Sequence, residues 1–426
     1  MNFEKICVLG LGYIGLPTAS TFATHGLKVI GVDVNEQIVM GLQNGQLHIY
    51  EPGLRTLVQA AVHSGNLVVR NQPEPADAFI IAVPTPFMGE KKADLRFVIS
   101  AAESIVPHLR PGNLVVLEST SPPRTTADLL IPILEGSGLK AGQDFQVAYS
   151  PERVLPGQIL RELIENARVI GGIDPASAES GRDLYQVFVR GKIILTDATT
   201  AEMVKLMENT YRDVNIAIAN EFSRLSERFG VDVWEAIKIA NLHPRVNILN
   251  PGPGVGGHCI SVDPWFLVEA APDLTPLIHA ARVVNDTQPH YVERLVKRAL
   301  GDLRGRRIAA LGLAYKPDVD DLRESPAIEV VHLLKEAGAS ITVYEPFKLD
   351  YYIEGVKTAA SLEEALQGVE AILLLVPHTN LVALNPEEVS GLTQARILID
   401  TVNGWDVKAW SEAGYTLFRL GVGKKS

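Results

Sequence analysis

At 426 residues the chain is too long for a single hydrophobic core, and its 46% hydrophobic content is enough to fill two or three. Its 39 basic residues against 50 acidic ones give a formal charge of −11, a field that repels nucleic-acid backbones and anionic membrane surfaces, so neither is an expected partner. Two cysteines cannot build a disulfide framework, no apolar run reaches the roughly 18 to 20 residues of a membrane span, and the N-terminus shows no leader pattern, so a reducing cytoplasm is the expected setting.

From Lys5 to Asp33 the pattern reads strand, glycine turn, helix, strand. Ile6-Cys7-Val8-Leu9 precedes Gly10-Leu11-Gly12-Tyr13-Ile14-Gly15, an apolar helix follows to His25, Gly26 stops it, and Val29-Ile30-Gly31-Val32-Asp33 is the second strand. Gly10, Gly12 and Gly15 complete G-x-G-x-x-G where a backbone turn can approach a pyrophosphate at a helix N-terminus. Asp33 stands 18 residues after Gly15, where a carboxylate accepts from a ribose 2′-hydroxyl and repels a 2′-phosphate; NAD is the expected cofactor. Ala78 to Val83 and Leu114 to Leu117 are continuous apolar runs, as buried parallel strands require. Thr85, just past the first of these, is expected to face the adenosine half of the cofactor.

Thr200 to Gly230 carries apolar residues at 203, 207, 211, 214, 218, 222, 225 and 229, one stripe along a single long helix. Lys205 and Asn209 are spaced i, i+4 on another face, which reads either as a solvated surface or as part of a site. Pro251-Gly252-Pro253-Gly254-Val255-Gly256-Gly257-His258-Cys259 places a thiol where backbone can crowd a ligand. Cys7, inside a strand, reads as a small buried hydrophobe, whereas Cys259 on its loop reads as a nucleophile. Asp263, in the apolar run Ser261 to Phe266, needs a cation if buried, and Lys205 is a candidate. His258, Cys259 and Asp263 lack the further ligands of a metal site, so no metal is expected. A further helix is predicted from about Leu274 to Leu300.

The C-terminal part repeats the opening grammar. Ala310-Leu311-Gly312-Leu313-Ala314-Tyr315 echoes Val8 to Tyr13, Ile341 to Glu345 echoes the strand ending in Asp33, and Ala371 to Pro377 echoes Ala78 to Pro84. Ala314 replaces Gly12, and Lys316 to Glu324 is inserted before a helix starting at Ser325-Pro326, so this copy should not hold a dinucleotide in the same way. The expected architecture is α/β: a dinucleotide-binding Rossmann domain over 1–198, a central helical domain over 199–300 that offers a dimer face, and a second doubly wound Rossmann-like domain over 301–426.

Gly10 to Gly15, Glu51-Pro52-Gly53-Leu54, Ser119-Thr120, Ser150-Pro151-Glu152-Arg153, Lys205-x-x-x-Asn209, Gly252 to Asp263, and Lys316 with Arg323 together resemble the UDP-glucose/GDP-mannose dehydrogenase superfamily over nearly the whole chain. His243-Pro244-Arg245-Val246-Asn247, His258-Cys259-Ile260 and Asp263 to Val268 are most similar to its bacterial UDP-N-acetylmannosamine dehydrogenase branch. The resemblance implies a homodimer and a four-electron oxidation of a UDP-sugar C6 alcohol to the carboxylate, with NAD as oxidant, in surface polysaccharide synthesis. It implies Cys259 as the nucleophile forming a thiohemiacetal and then a thioester, Lys205 and Asn209 at the oxyanion, Asp263 holding an ordered water, and Glu152 with Thr120 activating the hydrolytic water. Arg153, Val154, Lys205, Asn209, Arg212, His243, Arg245, Gly257, Tyr315 and Lys316 are then expected at the sugar and diphosphate, and Tyr13, Ile14, Thr120 and Arg323 at the cofactor. The epimer is open between N-acetylmannosamine and N-acetylglucosamine. A single-step 3-hydroxyacid or 6-phosphogluconate-type dehydrogenase would need neither Cys259 nor residues 301–426, and a nucleotide-sugar sensor without chemistry would not need the complete set of reactive groups.

Overall fold

A computed structural model describes residues 3–89 and 91–423, and its contacts divide the chain into two compact units. The first comprises 1–208 with 265–272, and the second comprises 209–264 with 273–426.

Among the described residues the first unit is built on an eight-stranded sheet: β1 (Lys5–Leu9), β2 (Lys28–Val32), β3 (Leu67–Arg70), β4 (Ala78–Ile81), β5 (Leu114–Leu117), β6 (Gln146–Tyr149), β7 (Arg168–Gly172) and β8 (Ile193–Asp197). The order is β8-β7-β6-β5-β4-β1-β2-β3, with every pairing parallel except β6 with β7. The central strands β1, β4 and β5 are apolar and buried along nearly their whole length, because helices cover both faces of the sheet. Two apolar clusters, one on each face, hold it: Val8, Leu16, Phe22 and Ile80 on one side, Leu9, Phe79, Val115 and Tyr149 on the other. Helix α1 (Gly15–Thr24) opens directly out of the glycine turn and ends where Gly26 takes φ +100°. Helix α2 (Ile159–Glu165) precedes β7, and α3 (Pro175–Tyr185) follows it, with Asp174 capping Ser177 N–H at 2.7 Å and Pro175 at its first position.

The second unit has a six-stranded parallel sheet: β9 (Arg307–Leu311), β10 (Ser340–Tyr344), β11 (Lys357–Thr358), β12 (Ala371–Leu374), β13 (Ile397–Asp400) and β14 (Thr416–Arg419), in the order β11-β10-β9-β12-β13-β14. The two Rossmann-like sheets read from the sequence are therefore both present. None of the described helices is long and apolar enough to cross a membrane.

One helix, α4 (Ala198–Phe229), runs from the first unit into the second, and its N-terminus is capped by Asp197, whose carboxylate accepts from Thr200 N–H at 2.9 Å and Thr200 Oγ1 at 2.6 Å. Its amphipathicity is inverted. Met207, Tyr211, Ile218, Phe222, Leu225 and Phe229 of the apolar stripe are exposed, while Glu202, Lys205, Asn209, Asp213, Asn220 and Ser223 are buried. In the second unit Asp213 pairs with the buried Arg282, and Asn220 bonds Asn285 at 2.9 Å, so the polar face packs against polar partners. The single helix expected from Leu274 to Leu300 is two, Pro276–Asp286 and Gln288–Leu300; Pro289 lacks the N–H needed to continue the ladder.

Candidate active site

The glycine turn of the first unit tolerates no side chain at two of its three positions. A Cβ on Gly10, where φ is +90°, would lie 2.6 Å from the Ala82 carbonyl oxygen, and one on Gly15 would lie 1.8 Å from that of Gly10. At Gly12 nothing stands within 4 Å, which is the open approach a diphosphate requires. Tyr13 and Ile14 complete the turn, partly buried. The Asp33 carboxylate accepts Leu11 N–H at 3.0 Å and Asn35 N–H at 2.9 Å, so it braces the turn while keeping lone pairs for a ribose hydroxyl. These residues fit a dinucleotide. His48, absent from the sequence reading, stands near Asp33; burial lowers its pKa, and the charge of Asp33 opposes that. Thr85 is buried and donates its hydroxyl to the Thr120 carbonyl at 2.6 Å, stitching two strand ends together.

Glu152, just past β6, is buried and doubly held. Its Oε2 accepts from Arg168 Nη2 at 2.8 Å and its Oε1 from the Arg153 amide at 2.5 Å. Arg168 on β7 also donates to Ser150 Oγ at 3.0 Å and to Glu118 Oε1 at 3.1 Å, and the Tyr185 hydroxyl donates to the same Glu118 oxygen at 2.7 Å. Arg153 is expected at the substrate. Its guanidinium grips Glu208 of α4, with Nε to Oε2 at 3.0 Å, and the Ala167 carbonyl at 2.9 Å, so it fixes the loop inside the unit. Glu51 accepts Gly157 N–H at 2.8 Å and Ile159 N–H at 2.9 Å, tying down the far end of the segment that carries Glu152 and the partly buried Val154. Lys205 is buried, which sets aside the reading of its face as solvated.

In the second unit Cys259 is exposed on its loop and Cys7 of the first unit is buried, as their contexts predict. Burial pushes the Cys7 thiol up to about 12, leaving it inert. Asp263 N–H donates to the Cys259 carbonyl at 2.8 Å, and the Asp263 carboxylate, 2% exposed, accepts from Asn209 Nδ2 at 2.5 Å. The Cys259 backbone and the Asp263–Asn209 pair thus meet at Asp263, where a helix, Asp263–Ala270, begins. Gly257, at φ +85°, could not carry a Cβ, which would sit 2.7 Å from the Tyr315 ring; its amide donates to the Arg323 carbonyl at 3.0 Å. His258 is pushed down to about 4, first by burial and then by the Arg323 charge, against the pull of Asp321. Arg323 forks onto Asp321, with Nε to Oδ1 at 2.9 Å and Nη2 to Oδ2 at 2.6 Å. Arg212, His243 and Arg245 are exposed, and Lys316 is partly so. The loop carrying His243 and Arg245 is staked by asparagines the sequence reading did not single out. Asn241 bonds both backbone groups of Ile248, Asn215 bonds Asn247 and Leu249, and Asn220 accepts Gly252 N–H.

Three family models match the chain in order: the UDP-glucose/GDP-mannose dehydrogenase family NAD binding domain over residues 4–189, its central domain over 199–287 and its UDP binding domain over 309–407. A UDP-N-acetyl-D-mannosamine dehydrogenase of Methanococcus maripaludis is 49% identical over 99% of this chain and 98% of its own length. An NDP-N-acetyl-D-galactosaminuronic acid dehydrogenase of Ralstonia nicotianae is also 49% identical, over 96% of this chain and 98% of its own length. The solved structure of the UDP-D-ManNAc dehydrogenase from Pyrococcus horikoshii aligns with a TM-score of 0.92 at 39% identity, covering 99% of this chain and all of that one. The open glycine turn, the exposed Cys259 and the full-length matches lead to one conclusion: the chain belongs to the UDP-glucose/GDP-mannose dehydrogenase family and is an NAD-dependent UDP-sugar dehydrogenase.

Proposed function

We propose that the chain oxidises the C6 alcohol of UDP-N-acetyl-D-mannosamine to the uronate in two successive two-electron steps, with a covalent intermediate on Cys259, and so supplies an acidic sugar for surface polysaccharide. The observation that carries this reading is the exposed Cys259 beside the buried Asp263–Asn209 pair. Bound NAD supplies the hydride acceptor. Among the chain's own groups, Lys205, with a water ordered by Asp263, takes the alcohol proton in the first step. The Cys259 sulfur then adds to the C6 aldehyde, giving a thiohemiacetal whose oxidation leaves a thioester. Asn209, its amide oriented by Asp263, and Lys205 stabilise the oxyanion at each tetrahedral stage, a role whose loss typically costs about 10²- to 10³-fold in rate. Glu152, held by Arg168, acts with Thr120 to activate the water that hydrolyses the thioester. Arg212, His243, Arg245, Gly257, Tyr315 and Lys316 bind the sugar and diphosphate in this reading, and Arg153 holds the loop that presents Val154.

The test is stoichiometric. NADH formed per sugar consumed is expected to be two, and Cys259→Ser should yield no uronate while still binding UDP-sugar; one NADH per sugar, or full uronate production by that variant, would refute the covalent route. UDP-N-acetyl-D-glucosamine is the alternative substrate, and the Ralstonia relative, named an NDP-N-acetyl-D-galactosaminuronic acid dehydrogenase, adds the galacto epimer to the comparison; kcat/KM across the N-acetylhexosamine epimers decides between them.

The exposed stripe of α4 from Met207 to Phe229 extends about 33 Å at 1.5 Å per residue and borders an apolar groove of about 320 Å³ lined by Phe222, Leu225, Phe229, Ile237 and Ile248. A second copy of the chain covers it in this reading, since a face of this length suits the roughly 800 Å² per partner of a stable interface. Phe222→Asp should then halve the mass measured by light scattering; a wild-type chain already monomeric at micromolar concentration removes the dimer.

A further inference from the structure

Glu118 and Glu152 lean on the same cation. Arg168 Nη1 reaches Glu118 at 3.1 Å and Nη2 reaches Glu152 at 2.8 Å, from a guanidinium 4.3 Å above the Tyr185 ring. Glu118 comes from the end of β5, Arg168 from β7, Tyr185 from α3, and Ser150 and Glu152 from the end of β6 and the segment after it; the neighbouring Arg153 guanidinium is committed to Glu208 of α4. One guanidinium thus serves two carboxyl groups. Glu118 is 1% exposed, and its Oε2 has no hydrogen-bond partner among the described residues. A buried orphan oxygen is far less costly on a neutral acid than on a carboxylate.

We propose that Glu118 is a positioning residue for Glu152: as a neutral acid it leaves the charge of Arg168 to Glu152, and on ionising it competes for that charge and makes Glu152 a stronger base. Burial is the largest influence on Glu118 and pushes its carboxyl up; Arg168 opposes this, and the charge of Glu152 adds to it. The inference rests on the reading of Glu152 as the base that activates the hydrolytic water. Its consequence is a hydrolysis rate that climbs with pH through the range in which Glu118 loses its proton.

The experiment follows decay of the acyl adduct on Cys259, trapped by acid quench and weighed by mass spectrometry, alongside kcat and KM with UDP-N-acetyl-D-mannosamine, from about pH 5.5 to about pH 9. Wild-type adduct decay should accelerate about 3- to 10-fold across the neutral range, and Glu118→Gln should remove that rise while KM stays within about twofold. Tyr185→Phe deletes a donor that favours ionised Glu118, so the inflection should move to higher pH. An unchanged inflection in either variant overturns the role of Glu118. Glu152→Gln separates the two ideas: adduct that clears at the wild-type rate there refutes Glu152 as base, whereas a stalled adduct there, with an unaltered pH response in Glu118→Gln, removes Glu118 alone.

Discussion

The two sheets solve the same topological problem and then diverge at one turn. After β1, Gly10-Leu11-Gly12 leaves space above Gly12, and Asp33 accepts the amide of Leu11. After β9, Gly312-Leu313-Ala314 stands in the corresponding place, and Glu345, one methylene longer, accepts both Leu313 N–H at 2.6 Å and Ala314 N–H at 2.9 Å. Its other oxygen takes Phe347 N–H at 3.0 Å, and His378 Nε2 stands 3.1 Å from the first. Asp318 N–H is donated into His378 Nδ1, so the ring proton sits on Nε2 and points at Glu345. Phe347 lies against the imidazole with centroids 5.0 Å apart. The first turn commits one amide, that of Leu11, to its own carboxylate, and the second commits two, those of Leu313 and Ala314. The longer acid of the second copy reaches one amide further into its loop than Asp33 does.

The largest effect should come from closing the open turn. Gly12→Val fits the fold, since a Cβ there meets nothing within 4 Å, but fills the space a diphosphate needs; KM for NAD should rise about 100-fold, with the melting temperature unchanged. The reciprocal Ala314→Gly should leave KM for NAD alone, and equal sensitivity of the two positions would break the comparison. Asp33→Asn comes next. It removes the charge that repels a 2′-phosphate and one of two acceptors bracing the turn, so the preference for NAD over NADP should fall about 10-fold with a loss of about 1 kcal/mol in stability. Steady-state rates with both cofactors, beside a denaturant titration, measure both parts; an unaltered cofactor ratio would show that Asp33 braces the turn and does nothing more.

Much of this contrast was legible in the sequence. Continuous apolar runs marked the strands buried on both faces, Gly26 and Ser325-Pro326 marked helix ends, and Ala314 in place of Gly12 marked the copy whose turn amides go to Glu345. What periodicity does not carry is what a face packs against. The stripe on α4 is visible in the spacing, yet the buried face is the polar one, because Asp213 and Asn220 find Arg282 and Asn285, some 65 residues or more further along the chain. Arg153 meeting Glu208, and Arg168 joining Glu118 to Glu152 and Tyr185, are pairings between distant strands and helices with no local spacing to betray them. The Thr85 hydroxyl bond is of the same kind, since its acceptor is a backbone carbonyl 35 residues away.

The smallest effect, and the sharpest test of the plugged turn, is the acid response of the second unit. Burial pushes the Glu345 carboxyl up, but the hydrogen bond from His378, with the amides of Leu313 and Phe347, outweighs it and holds the group below its ordinary value. A carboxylate whose folded value lies below its unfolded one stabilises the fold above the unfolded value, near 4.3 for glutamate, and that contribution fades as pH falls through the folded value. Glu345→Gln keeps one acceptor and no charge, so it should cost about 1 to 3 kcal/mol at neutral pH. Below about pH 4.3 the gap between variant and wild type should narrow, because the wild-type group gains its proton and loses the same advantage. Thermal melts from neutral pH down to about pH 3 read the two curves together. If they run parallel over that window, Glu345 is not the charged keystone of the turn, and the amides of Leu313 and Ala314 owe their order to packing against Val376 and its neighbours.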